Sequence, residues 1–172
     1  MTSFKYITLF IVVTASAATV DDVLRDINGI YNNAGDLNDE VKNWDGQLLT
    51  AAPQLVSLSL TQQALDSGVK HTDELPALLT TAEAKRILDL VNVTLYVGNP
   101  ITVDTVISRK SDYAKIGQES IILEGLKKLR TGHGHFAGNV LNRLPEECTE
   151  TGLKLTYHIS EALRKGILAF ES

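Results

Sequence analysis

Eight apolar residues near the start of the chain, Val20, Val23, Ile27, Ile30, Ala34, Leu37, Val41 and Trp44, follow one another at steps of three and four in strict alternation. At about 3.6 residues per turn, that spacing keeps all eight on one face of a single α-helix. Thr19, with Asp22 three residues on, supplies a start signal, and Gly46 a stop. No segment shows the period-two alternation of a half-buried strand.

The same periodicity divides the rest of the chain into four more helices. The second begins near Pro53, a residue suited to a first helical turn; it carries Leu55, Leu58, Leu65 and Val69 and ends before Pro76. Thr80 and Glu83 have the spacing of a capping box and open a third, which runs through Ile87, Leu88, Val91 and Leu95. Gly98 and Pro100 are expected to kink or break it, with Val103, Val106 and Ile107 continuing beyond. The fourth carries Ile122, Leu126, Leu129, Phe136 and Val140 and stops at Pro145; the fifth carries Leu155, Ile159, Leu163, Gly166 and Phe170. Short links make such neighbours antiparallel. The expected fold is all-α, a five-helix antiparallel bundle forming one domain over residues 18–172.

Residues 1–17 read differently. Lys5, an apolar run from about Ile7 to Val13, and the small residues Ala15, Ser16 and Ala17 have the order of a cleaved signal peptide. The run is far short of the roughly 20 residues a membrane-spanning helix needs. No second run of that length stands out, so the expectation is a secreted, extracellular protein with no transmembrane segment. The C-terminal "RKGILAFES" lacks the hydrophobic tail of a lipid-anchor signal. About 155 residues remain after the signal, enough to bury a core without cross-links. Lone Cys148 can form no internal disulfide and is expected to pack as a small apolar residue. The formal charge of −5 becomes one unit more negative when Lys5 leaves, which argues against nucleic acid as a partner. Asn92 opens "NVT", a glycosylation acceptor.

Two of the four histidines fall in "TGHGHFAGN", Thr131 to Asn139. Residues two apart on a helix point about 200° away from each other, so His133 and His135 cannot grip one metal ion. His133 instead fills the gap in the stripe Leu129, His133, Phe136, and Gln62 fills the same kind of gap between Leu58 and Leu65. An unpaired imidazole or amide in a core costs on the order of 1–3 kcal/mol, so each is expected to find an internal partner or a ligand's polar head. An apolar pocket with a few convergent polar groups is the usual form of a small-molecule site. The expected lining is Leu58 and Leu65 from the second helix, Val91 and Leu95 from the third, Leu126, Leu129 and Phe136 from the fourth, and Ile159 and Leu163 from the fifth. No nucleophile elbow, zinc-protease pair or phosphate loop is present, and no catalytic residue, metal or cofactor is expected.

The segments "ATVDDVLRDI", "TVISRKSDYAKIGQESIILEGLKKL" and "ISEALRKGILAF" carry a resemblance that spans nearly the whole chain after the signal. The chain resembles the fungal hydrophobic surface binding protein A and cell-wall galactomannoprotein family. In that family a hydrophobic pair, basic residues, an aromatic and a glycine precede the next helix; here these are Val106-Ile107, Arg109-Lys110, Tyr113 and Gly117. The resemblance implies a small exported helical glycoprotein. Some members adsorb to hydrophobic surfaces and recruit esterases, and others carry fatty acids in a central cavity. The chain lacks the Ser/Thr-rich tail of wall-bound members, which favours a freely secreted form over cell-wall attachment.

Two functions follow as expectations. The first is a carrier of fatty acids or similar lipids, with Gln62 and His133 as contacts for a carboxylate. The alternative is a protein that adsorbs to hydrophobic surfaces and recruits hydrolases such as a secreted esterase. That role predicts exposed apolar residues off the main stripes, with Leu60, Leu90, Val93 and Val97 as candidates.

Overall fold

A computed structural model describes residues 17–172; the expected signal peptide, apart from its last position, lies outside the described residues. The elements are α1 (Val20–Asn43), a short 3-10 turn (Leu49–Ala51), α2 (Ala52–Asp73), α3 (Thr81–Val93), α4 (Leu95–Ser108), α5 (Lys110–Lys115), α6 (Glu119–Leu141) and α7 (Glu146–Glu171). The fold is all-α, with seven α-helices among the described residues rather than the five expected. Two local features account for the difference. The third expected helix is divided into α3 and α4, and the six-residue α5 occupies what reads in the sequence as a link.

The first helix forms as its sequence dictates. The Thr19 hydroxyl accepts from the Asp22 backbone N–H while the Asp22 carboxylate accepts from the Thr19 N–H at 2.9 Å, a reciprocal cap that satisfies two orphan donors. All eight residues of the apolar alternation are buried. Gly46, at φ 83°, turns the chain away, a conformation that a Cβ would strain.

The break in the third rod falls at Thr94 (φ −117°, ψ −84°), not at Gly98 or Pro100. Thr94 still donates its N–H to the Leu90 carbonyl and then accepts from Gly98 at 2.7 Å, so the ladder restarts with α4. Val93 and Thr94 are β-branched residues that resist helical χ1 crowding. Pro100 lies inside α4, where it removes one bond, that to the Tyr96 carbonyl, without ending the helix. Together Thr81–Ser108 reach the length and mean hydropathy of a membrane-crossing segment, 1.2 over 18 residues. Asn92, Thr94 and Asn99 interrupt that run and hide it from a search for uninterrupted apolar stretches. In the fold these helices pack on α1 and α7.

The packing order closes on itself. Helix α1 touches α2 and α4, α2 touches α6, α6 touches α7, and α7 touches α4, with α3 extending the α4 rod along α1 and α7. One end is sealed by aromatics: Tyr113 lies 4.9 Å from the Trp44 ring and 6.1 Å from Phe170, and its hydroxyl donates to Gln54. Burial pushes the Tyr113 phenol far above its ordinary range, which keeps it a neutral donor. Cys148 is buried and unpaired.

Helix α2 departs most from its expected orientation. Its buried face is Gln54, Ser57, Thr61, Leu65, Gly68 and Thr72, and Leu55, Leu58 and Val69 are only partly buried against the core. The helix is rotated about one residue from its leucine stripe because close neighbours flank it. Small residues let α1 and α6 approach, and the hydroxyls of Thr61 and Thr72 bond back to the carbonyls of Ser57 and Gly68 at 2.8 Å, so burial leaves neither unsatisfied. On the α6 side, a Cβ at Gly132 would stand 2.8 Å from Leu65, whereas one at Gly134 would meet nothing within 4 Å. Gly132→Ala should therefore lower the free energy of unfolding by about 1–3 kcal/mol through overpacking, while Gly134→Ala raises it by up to about 1 kcal/mol through helix propensity. Urea denaturation of the pair checks this; equal effects at both positions would refute the close-approach account.

Candidate functional site

The closed ring leaves two adjoining apolar voids. The larger, about 60 Å³, is bounded by Ile30, Ala34 and Leu37 of α1, Leu58, Thr61 and Leu65 of α2, and Leu95, Asn99, Thr102, Val103 and Val106 of α4. Helix α6 adds Ile122, Leu126, Leu129, His133 and Phe136, and α7 adds Leu163. The smaller, about 40 Å³, lies among α3, α6 and α7 behind Ile87, Val91, Val140, Leu155 and Ile159. Leu95, His133 and Phe136 border both.

The polar side chains on these walls are few, and most are already bonded. Thr61 donates to Ser57 O at 2.8 Å and Thr102 to Ala34 O at 3.1 Å. His133 is buried, with Nε2 3.3 Å from the Thr156 carbonyl. A carbonyl partner places the imidazole proton on Nε2 and leaves Nδ1 as an acceptor. Burial holds its basicity below the ordinary histidine value, against a smaller opposing pull from that carbonyl, so the ring is neutral at pH 7. A neutral ring whose one N–H is committed offers nothing to a carboxylate. Asn99, half-buried, borders the larger void, and its side chain makes no hydrogen bond with the described residues. An amide supplies two donors in that setting.

Ten of the eleven candidate lining residues border one void or the other. Leu58, Leu65, Leu95, Leu126, Leu129, His133, Phe136 and Leu163 face the larger, and Val91 and Ile159 face the smaller. His133 points inward while His135 is exposed. Gln62 is the correction. It lies half-buried in the outer groove between α2 and α6, where Nε2 donates to Asp66 at 2.7 Å. The rotation of α2 that turns Thr61 inward carries Gln62 out. Thr61, Asn99 and Thr102 escaped the apolar periodicity because it scores polar residues as solvent-facing; Pro100 beside Asn99 was the one local signal.

A second polar cluster joins α1 to α2. Asp26 is buried, lies 2.6 Å from His71 Nδ1 and accepts from the Ser67 hydroxyl at 2.9 Å. The serine bonds to the carboxylate, not to the imidazole, so this is not the base-to-nucleophile geometry of a hydrolase. On the outside, Val93, Val97 and Leu60 are exposed as expected, whereas Leu90 is half-buried against the core. Asn92 is exposed at the end of α3.

A sequence model described as hydrophobic surface binding protein A matches residues 20–142. No curated protein matches the chain by sequence. Among solved structures, AfMP4p in complex with palmitic acid superposes with a TM-score of 0.83 at 17% identity, covering 88% of this chain and 99% of that one. Ligand binding domain 1 of the Penicillium marneffei MP1 protein, complexed with arachidonic acids, gives 0.81 at 20% identity over 88% and 99%. Domain 2 of that protein, complexed with multiple arachidonic acids, gives 0.81 at 19% identity over 88% and 96%. At such identities the likeness establishes the fold.

The neutral His133 has a measurable consequence. Its folded-state affinity for a proton lies below the ordinary pKa of 6.5, so as pH falls below that value the unfolded chain takes a proton that the folded protein refuses. Wild type should lose stability relative to His133→Leu by up to about 1.4 kcal/mol per pH unit below that point, and the two should run parallel above it. Thermal unfolding across this range tests it; parallel curves throughout would exclude a buried neutral imidazole.

Proposed function

The chain belongs to the hydrophobic surface binding protein A family, and from that membership we propose that it is a secreted carrier whose helical ring takes a fatty acid or similar lipid into its apolar centre. The supporting observation is the larger void, whose walls are mostly apolar and whose polar residues are Thr61, Thr102 and His133, each already bonded, and Asn99. The fold it sits in is the one solved elsewhere with palmitic and arachidonic acids. Burying the methylenes of a sixteen-carbon chain contributes about 11 kcal/mol at roughly 0.8 kcal/mol each. That magnitude offsets most estimates of the entropy lost on association.

The voids as they stand hold only a few waters' worth of space. The ring therefore opens to admit an acyl chain, and the ligand holds apart walls that otherwise pack together. Asn99 donates to the carboxylate, and His133 and the leucines contact the chain. Asn92, exposed in its sequon, carries a glycan on the outer side of the same rod.

Hydrogen bonds to a charged group are worth about 1.5–3 kcal/mol. Asn99→Leu should accordingly weaken palmitate binding tenfold or more while leaving the methyl ester within about threefold. Fluorescent-ligand displacement with acid and ester, together with mass spectrometry of lipids extracted from the secreted protein, provides the measurement. Equal losses for acid and ester would remove Asn99 from the role, and failure to bind any fatty acid would overturn the carrier reading.

One observation favours a second activity on the outside. Val93, Val97 and Ile101, spaced by four along the α3–α4 rod, are all more than half exposed. Such a stripe suits adsorption to a hydrophobic solid, where a docked esterase would meet its polymer. Replacing Val93 and Val97 with Ser should cut retention on polyester beads severalfold without changing fatty-acid affinity; unchanged retention would end this assignment.

A further inference from the structure

Two voids share three residues, and the shared set has an order of rigidity. Leu95 is a flexible side chain at the first position of α4, and His133 is tied to Thr156. Phe136 is the bulkiest of the three, buried, with its ring edge against the backbone of α2: a Cβ at Gly68 would lie 2.8 Å from Phe136 Cε2 and 3.3 Å from Asp26. The ring cannot retreat toward α2, because helix backbone is already there, and α1 stands behind it. It therefore stays between the chambers.

The chambers differ in chemistry. The larger holds Asn99, Thr61 and Thr102 on its walls, whereas the smaller has only His133 and Thr156 as polar lining, and the Thr156 carbonyl is bonded to His133. The first chamber carries more polar groups and the Asn99 amide, whereas the second is lined almost wholly by hydrocarbon and suits an acyl tail better than a head group. We propose that Phe136 is the specificity-determining residue for acyl length, a partition that stops the chain in the Asn99 chamber and bars its methyl end from the space among α3, α6 and α7. This rests on the carrier reading.

Phe136→Ala joins the chambers. Each further methylene buried is worth about fourfold in affinity, so the ratio of affinities for a C22 over a C16 saturated acid should rise at least tenfold above that of wild type. Phe136→Leu should give a smaller shift in the same direction. Val91→Phe, which refills the second chamber, should return the ratio of the Phe136→Ala protein to near the wild-type value. Titration of saturated acids from C12 to C24, with circular dichroism melts to establish that each variant is folded, makes the measurement. A uniform loss across all lengths, or an unmoved ratio in Phe136→Leu should Phe136→Ala fail to fold, overturns the partition. Wild type binding no acid of any length would instead defeat the carrier reading, and the two failures are distinct.

Discussion

Where α2 meets α6, side chains rest directly on helix backbone. Leu65 of α2 sits over Gly132, Leu58 over Gly125, and in the opposite direction Phe136 of α6 sits over Gly68. Each contact is a knob with no hole to spare, since a Cβ at any of the three glycines would fall under 3.0 Å from its partner. The dispersion gained at this distance, summed over three such pairs, holds α2 against α6 as one wall of a ring of five rods. A ring of five cylinders leaves more space along its axis than a ring of four. The central voids are thus a consequence of the same close packing that holds the wall together.

What fills such space is decided by how its polar groups are satisfied. The threonine hydroxyls return to carbonyls, one in their own helix and one on α1, and His133 gives its only proton to Thr156. These groups are polar in composition but apolar in effect, because little hydrogen-bonding capacity is left for water or ligand. Water gains little by entering. The donor left on the larger void, Asn99, lies inside α4, five residues past the interruption at Thr94 and beside Pro100.

Legibility in the sequence followed side-chain chemistry closely. All eight positions of the α1 alternation are buried, as are Leu155, Ile159, Leu163, Gly166 and Phe170 of α7, because each of these helices buries one apolar stripe. Helix α2 misleads for the opposite reason. Its inner face is built from Ser57, Thr61, Gly68 and Thr72, which a hydropathy pattern assigns to solvent, and its leucines lie at the flanks. Asp26 likewise reads as an outer-face carboxylate, but two partners on α2, Ser67 and His71, bring it inside. No single-helix pattern contains the partner that makes burial tolerable, and that is why Gln62 and Thr61 exchange roles between sequence and structure.

The α3–α4 rod carries the last consequence. An amphipathic helix at the edge of a soluble protein is apolar inside and polar outside, but this one is apolar on both faces. Leu95, Val103 and Val106 face the ring, and Val93, Val97 and Ile101 face away. The double-sidedness is what raises its mean hydropathy to the level of a membrane-crossing segment. Folding needs only the inner set. The outer set adds nothing to the core, leaves about half of each side chain's surface in water, and recurs at every turn in line with the rod. Residues so placed are free for contact made after folding, and in the proposed function the two faces of the rod serve separate roles, acyl chains within and apolar surfaces without. Because the division is by face, changing one leaves the chemistry of the other in place.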